Sequence, residues 1–291
     1  MPVRDLWLRC GLQWAAPALL AAVAAVAPAH AEPGRTVAAQ GSGPRVHAIY
    51  HITWNGLDLG EFTWDSAISG GQYKAVTNAK ITALFGAYTW EGATRASGAY
   101  VTGAPHPAAY KFRYSATDKS GRIDMTFANN KVASMSADPP DKGKGIPLTP
   151  ADLENVLDPL SAIMTLSSPG TGSIEAMNPC QRRLAVFDGK QRFDLVLSFK
   201  KKDHASNAAG ARAVYVCKIQ YVPIAGMKMN TETKYMASTD GIEIWLAPVA
   251  FANTFVPINV VIPTWAGSAE ITSSKVQIDV PGHGQIALSG K

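Results

Sequence analysis

Residues 46–68 read VHAIYHITWNGLDLGEFTWDSAI. Val46, Ala48, Tyr50, Ile52 and Trp54 alternate with more polar neighbours, the pattern of a half-buried strand. Asn55-Gly56 follows, a pair that turns a chain back on itself. The alternation resumes from Leu57 to Ile68 and stops at Ser69-Gly70-Gly71. The same rhythm continues outward through Tyr73–Ile81, Tyr88–Ser97, Ala109–Ala116, Gly121–Phe127 and Lys131–Ala137, with Asn129-Asn130 as the last break. Short strands divided by turn signals predict a mostly β fold, a curved antiparallel sheet arranged as a barrel, half-barrel or spiral.

The middle departs from this rhythm. Residues 138–147 (DPPDKGKGIP) form a loop rich in proline, glycine and charge. Thr149-Pro150 and Asp158-Pro159 each place a capping residue before a proline at the first helical position. One or two short helices are predicted, 150–157 and 159–167, with Leu160, Ile163 and Met164 forming an apolar face in the second. A helix this short is marginal alone and must pack on the sheet. Strands then return: Arg183–Phe187, an Asp188-Gly189 turn, Gln191–Phe199, Ala213–Val222, Lys228–Ala237, Ile242–Leu246, Pro257–Pro263 and Ser268–Ile278.

The first 31 residues carry Arg4 and Arg9, an apolar run from Trp14 to Val26, and Ala29-His30-Ala31. This is the three-part layout of a cleaved secretory signal. The run is shorter than the roughly 20 residues a spanning helix needs, and Pro17 interrupts it. The domain layout expected is a signal peptide at 1–31, a disordered leader at 32–44, one β-rich domain at 45–280 and a tail at 281–291. The expected location is the periplasm, with no transmembrane segment after cleavage. Of three cysteines, only Cys180 and Cys217 lie beyond residue 31. An even pair in an oxidising compartment reads as one disulfide. The net charge of +5 is spread thinly, with Lys200-Lys201-Lys202 the one cluster. That cluster reads as a solvated loop, and nucleic acid is not expected as a partner.

Several segments, taken in order, resemble a known family. They are Tyr50–Gly60 (YHITWNGLDLG), Asp158–Ala162 (DPLSA), Phe187–Asp194 (FDGKQRFD), Ile242–Pro248 (IEIWLAP) and Gly267–Ile271 (GSAEI). Together they are similar to the exported bacterial domain-of-unknown-function family 3108, over about Val46 to Ile278. The resemblance implies a β-rich, exported protein, and it implies no catalytic residue.

Motifs for catalysis are sparse. There is no Gly-x-Ser-x-Gly elbow and no complete phosphate loop. His47 and His51 share a strand face but lie about 13 Å apart along it, too far for one metal ion without a bulge. His106, His204 and His283 read as loop or turn residues. No cofactor and no metal is expected. Asp158 reads as a helix cap and Asp188 as a turn residue. A pair of carboxylates acting on a glycosidic bond stays open as an alternative, since sequence does not give their separation. The tryptophans are the remaining signal. Most should fill the core, and the sharper reading has Trp54, Trp64, Trp90 and Trp245, with Leu160 and Met164, lining a groove for an acyl chain or apolar segment. The functional expectation is a non-enzymatic binding, carrier or scaffold module of the envelope, its partner a hydrophobic or lipid-like ligand or an envelope protein. The alternative is a periplasmic hydrolase of an envelope polymer. Mass spectrometry of the periplasmic fraction should find a mature N-terminus at Glu32 or within a few residues; an intact Met1 start in the cytoplasm would refute export.

Overall fold

The structure is a computed structural model, and it describes residues 42–140, 143, 145–168, 172–174, 176–205, 212–282 and 284–289. The expected signal peptide and most of the expected leader fall outside the described residues, as does His283.

Alternation between large apolar and polar side chains produces a single 14-stranded antiparallel sheet. Seven strands form a first meander: β1 (Ser42–Trp54), β2 (Leu57–Ser69), β3 (Gln72–Ala83), β4 (Tyr88–Val101), β5 (Ala104–Ala116), β6 (Ser120–Ala128) and β7 (Lys131–Asp138). A second meander contains β8 (Arg182–Phe187), β9 (Arg192–Ala205), β10 (Arg212–Ala225), β11 (Glu243–Val249), β12 (Thr254–Thr264) and β13 (Gly267–Val280). β1 pairs with β13 and joins the two halves at the centre of the sheet. β14 (Gly284–Ser289) pairs with the end of β13, where β12 has diverged, so the segment expected as a tail extends the sheet. β1 also begins at Ser42, inside the expected leader.

The sheet curls without closing. Its edges, β7 and β8, do not pair with each other, and the chain between them spans the gap. Asn155 N–H donates to Asn130 O (2.6 Å) beside β7. Two residues later, Leu157 N–H donates to Ala185 O (2.8 Å) on β8, and Phe187 N–H donates to Leu157 O (2.9 Å). This bridge replaces the predicted helix at 150–157. Only one 3-10 turn forms there, Pro150–Leu153, in which Asp152 accepts from the Thr149 N–H (2.8 Å) and hydroxyl (2.7 Å). Glu154 is extended and Asn155 left-handed, so the chain leaves the helix to reach both edges.

Helix α1 (Pro159–Ser167) starts directly after the bridge and packs within the curl against β3, β4, β5, β8 and β12. Leu160 and Met164 enter the larger core cluster with Tyr50, Trp64, Tyr73 and Tyr110. Ala162 and Leu166 enter a second cluster with Leu184, Phe193, Leu246 and Phe255. The helix is therefore apolar on both sides, as one buried within a core must be. Its last carbonyls are also held: Arg182 donates to Thr165 O and Ser168 O, and Thr254 Oγ1 donates to Ser167 O (2.8 Å).

Cys180 and Cys217 are bonded in the second cluster, with Cα atoms 5.1 Å apart. They tie the approach to β8 onto β10 across β9. Closing a loop of 37 residues stabilises the fold by about 4 kcal/mol in the chain-entropy picture.

Four further local expectations change. The strand expected at Lys228–Ala237 is helix α2 (Thr231–Ser238), whose cap Asn230 accepts from Thr233 N–H at 2.8 Å. His106 lies within β5, where the Pro105 and Pro107 segment is absorbed by a bulge opposite Ser97 and Gly98. His204 lies in β9 rather than in a turn. The three lysines are also in β9 rather than in a loop: Lys200 pairs with Glu243, and Lys202 lies 5.0 Å from the Tyr215 ring. Cross-strand partners hold these side chains, which is why a charged run lies in a strand.

Since Leu160 is 4 % exposed in the larger cluster, Leu160→Asp buries a charge without a partner. The expected result is loss of cooperative unfolding, or destabilisation of at least about 3 kcal/mol in urea melts. Near-native stability would show that α1 is not part of the core.

Candidate functional site

One rim of the sheet is apolar. Three turns stand side by side there: Asn55-Gly56 between β1 and β2, Leu84–Gly86 between β3 and β4, and Trp265-Ala266 between β12 and β13. Asn55 clamps two of them. Its N–H donates to Ser268 O and its Oδ1 accepts from Ser268 N–H, both at 2.8 Å. Beneath the rim lies a third apolar cluster of Ile52, Leu59, Ile81, Ala83 and Trp90, with Trp54 and Tyr88 packed on it. Above it Leu57 is 64 % exposed, Trp265 45 % and Phe85 fully exposed.

The turn holding Phe85 is strained. Leu84 (φ 54°), Phe85 (φ 56°) and Gly86 (φ 92°) are consecutive left-handed residues. Only the glycine suits that region, and each of the other two costs on the order of 1–3 kcal/mol. The strain presents a large aromatic ring to water, where it contributes nothing to the core. Neighbouring charges do not form a cationic face: Lys80 is paired with Glu91 (2.8 Å), and Asp58 lies 3.9 Å from His51. Contact at this rim is therefore hydrophobic in character.

The six residues expected to line one groove are divided among three places. Trp64, Leu160 and Met164 are buried in the larger core cluster. Trp54 and Trp90 belong to the rim cluster. Trp245 lies on β11 with Lys201 Nζ 5.8 Å from its ring centre. Alternation identifies which side of a strand a residue faces, not its height along the sheet, so it merged these sites. Phe85 is not among the expected site residues, and Trp265, a tryptophan at a strand end, is not one of the six. The available signal was Leu84-Phe85-Gly86, two large apolar residues in a turn.

Of the carboxylates singled out from the sequence, Asp158 is fully buried with both oxygens hydrogen-bonded, and Asp188 is partly buried and bonded through one oxygen. Asp158 Oδ1 accepts from the N–H groups of Leu160 and Ser161 (3.0 Å each), capping α1. Its Oδ2 accepts from Ser161 Oγ, and Ser161 Oγ is 2.5 Å from Tyr73 OH. With Asp158 ionised, the order of donation runs Tyr73 to Ser161 to Asp158. Asp188 Oδ1 accepts from Lys190 N–H (2.8 Å) and Gln191 N–H (2.7 Å), closing the β8–β9 turn. Gly189 in that turn has φ +96°, and a Cβ there would meet Ile123 Cγ2 of β6 at 2.3 Å. Burial raises the pKa of both carboxyl groups, Asp158 to about 6, against the lowering effect of their hydrogen bonds. The Tyr110 hydroxyl is buried with no hydrogen-bond partner among the described residues, and burial and both carboxylates raise its pKa. Asp194, also buried, pairs with Arg183 and Arg192.

His47 and His51 lie on the outer face of β1, each beside an aspartate, Asp65 and Asp58 respectively. Among the described residues, no group of three or more potential metal ligands occurs, and no helix is long and apolar enough to cross a membrane.

The family described as "Protein of unknown function (DUF3108)" matches residues 49–273. The chain belongs to this family. The match begins within β1 and ends within β13, and its two ends meet where Tyr50 pairs with Ser273. The match therefore covers β2 to β12, about half of β1, half of β13, the bridge and α1, and β14 lies outside it. No curated protein and no solved structure matches the chain.

The Asp158 pKa gives a signed prediction. Between about pH 4 and 6 the folded protein holds a proton that the unfolded chain has released. That contribution is present at low pH and is lost as pH rises through 6. Asp158→Asn keeps the cap and cannot ionise. In urea melts, wild type should gain up to about 3 kcal/mol relative to Asp158→Asn between pH 7 and pH 4. A difference that does not change with pH would show that Asp158 is not buried as a carboxyl group.

Proposed function

We propose that the chain is an exported periplasmic protein that binds rather than catalyses. Its apolar rim takes the hydrocarbon part of a lipid-like ligand. The observation that carries this reading is Phe85, held fully in water by a strained turn, beside Trp265 and Leu57 and above the Trp54–Trp90 cluster. Strained backbone of this kind clusters at ligand clamps and other functional sites. Asp158 and Asp188 weigh against the hydrolase reading. Each already accepts backbone or side-chain hydrogen bonds that build the fold.

Binding of a fluorescent fatty acid to the mature protein tests the reading. Phe85→Ser combined with Trp265→Ser should leave the circular dichroism and melting temperature unchanged, since both side chains are exposed. The double variant should bind at least about tenfold more weakly, the effect of losing one buried aromatic side chain. No uptake by wild type, or equal uptake by the variant, would refute the proposal.

A further inference from the structure

The outer face of the sheet carries a second surface, remote in character from the rim. Where β1, β2, β3, β13 and β14 run side by side, an open groove of about 370 Å³ forms. Strand register sets its layout. Asp279 on β13 lies opposite Arg45 on β1, Arg45 opposite Ala67 on β2, and Ala67 opposite Lys74 on β3. Two cations thus stand on either side of a methyl group, about 10 Å apart at two interstrand spacings. The small Ala67 side chain leaves the floor between them open.

The adjoining row is Gln277, His47 and Asp65, again in direct register. Asp65 Oδ1 lies 2.7 Å from His47 Nδ1 and fixes the ring. With Nδ1–H donating to Asp65, the other nitrogen of the neutral ring is an acceptor. Among the described residues, Arg45, Lys74 and Asp279 form no salt bridge, although Arg45 and Asp279 are cross-strand neighbours. Gln285 of β14 stands opposite Asp279 and adds an amide at the acidic side.

The charges decide the class of ligand. Arg45 and Lys74 are balanced by Asp65 and Asp279, so the groove has no net field to concentrate a simple anion. The charges are nonetheless separated along the row, with an unpaired acid on one side and two cations on the other. We propose that this groove binds a zwitterionic head group, a phosphate joined to a primary amine by a short linker, as in phosphoethanolamine. The phosphate sits over Ala67 and accepts hydrogen bonds from Arg45 and Lys74. The ammonium group donates to Asp279, with the Gln277 and Gln285 amides beside it. A phosphate offers acceptor oxygens to several sides at once, which suits donors placed on both sides of it. This assignment does not depend on the apolar rim.

Calorimetric titration of the mature protein with free phosphoethanolamine, phosphocholine and inorganic phosphate tests it. Phosphoethanolamine should bind most tightly. Arg45→Gln and Lys74→Gln should each weaken it about fivefold, the effect of losing one exposed charged contact. Asp279→Asn should abolish the preference over phosphocholine and leave inorganic phosphate unchanged. Phe85→Ser should have no effect, which separates this site from the rim. Flotation with vesicles of phosphatidylcholine, with and without phosphatidylethanolamine, identifies the source. Vesicle binding that requires phosphatidylethanolamine and Arg45 assigns a lipid head group, and binding of the free compound alone assigns a soluble one. Inorganic phosphate binding as tightly as phosphoethanolamine, unchanged binding by the three groove variants, or no binding in either format would overturn the proposal.

Discussion

A carboxylate buried without access to water has to be satisfied by the fold around it, and Asp158 imposes that demand at the centre of this one. Its two oxygens hold the first turn of α1 and, through Ser161, the hydroxyl of Tyr73 on β3. The residues just before it, 154–157, bridge β7 and β8. Cap, bridge and curl are therefore parts of one short run of chain. The sheet curls because its two edges are attached to the same segment. It is filled because that segment continues as a helix, with one side serving each large core cluster. Removing the hydrogen-bonded acid would loosen all three together.

A filled interior displaces recognition to the outside. The concave face is occupied by α1 and aromatic side chains, so the surfaces with chemistry to offer are the rim and the outer face. They differ in kind. The rim is aromatic and strained, and it presents rings with no use in the core. The groove is polar and unstrained, and its pattern comes from strand register alone. Neither requires the sheet to open, so both are available to the protein in its resting conformation.

Much of this fold was legible because period 2 is a strong signal. Val46 to Trp54 and its successors announced the first meander, and Asp158-Pro159 announced both the cap and the start of α1. The family resemblance rested on five ordered segments, and the match over residues 49–273 spans all of them. The misses have separate causes. Lys228–Ala237 could be read as alternating, and the Asn230 cap that makes Thr231–Ser238 helical was passed over. The Lys200 run suggested solvent, yet Glu243, Asp203 and two aromatic rings hold its side chains along β9. The groove of six residues dissolved because periodicity carries no information about which strands become neighbours. The rim and the outer groove share that difficulty. Leu57, Phe85 and Trp265 come together only through the β1–β13 pairing, and so do Arg45 and Asp279.

That pairing has a consequence for how the chain reaches its structure. β1 is the first strand of the sheet, and its partner β13 lies more than two hundred residues later. Contacts of such separation give a high contact order, and chains of this kind fold slowly. Until β13 arrives, one side of β1 is an open edge with unpaired backbone donors and acceptors, a template for association with another chain. The N-terminal meander can form early, but β1 at its edge stays sticky until nearly the whole chain is present. Truncation before β13 should therefore be costlier than its place near the C-terminus suggests. The pressure falls on whatever shields β1 in the interval, a holding chaperone or rapid completion of the chain, rather than on the finished fold.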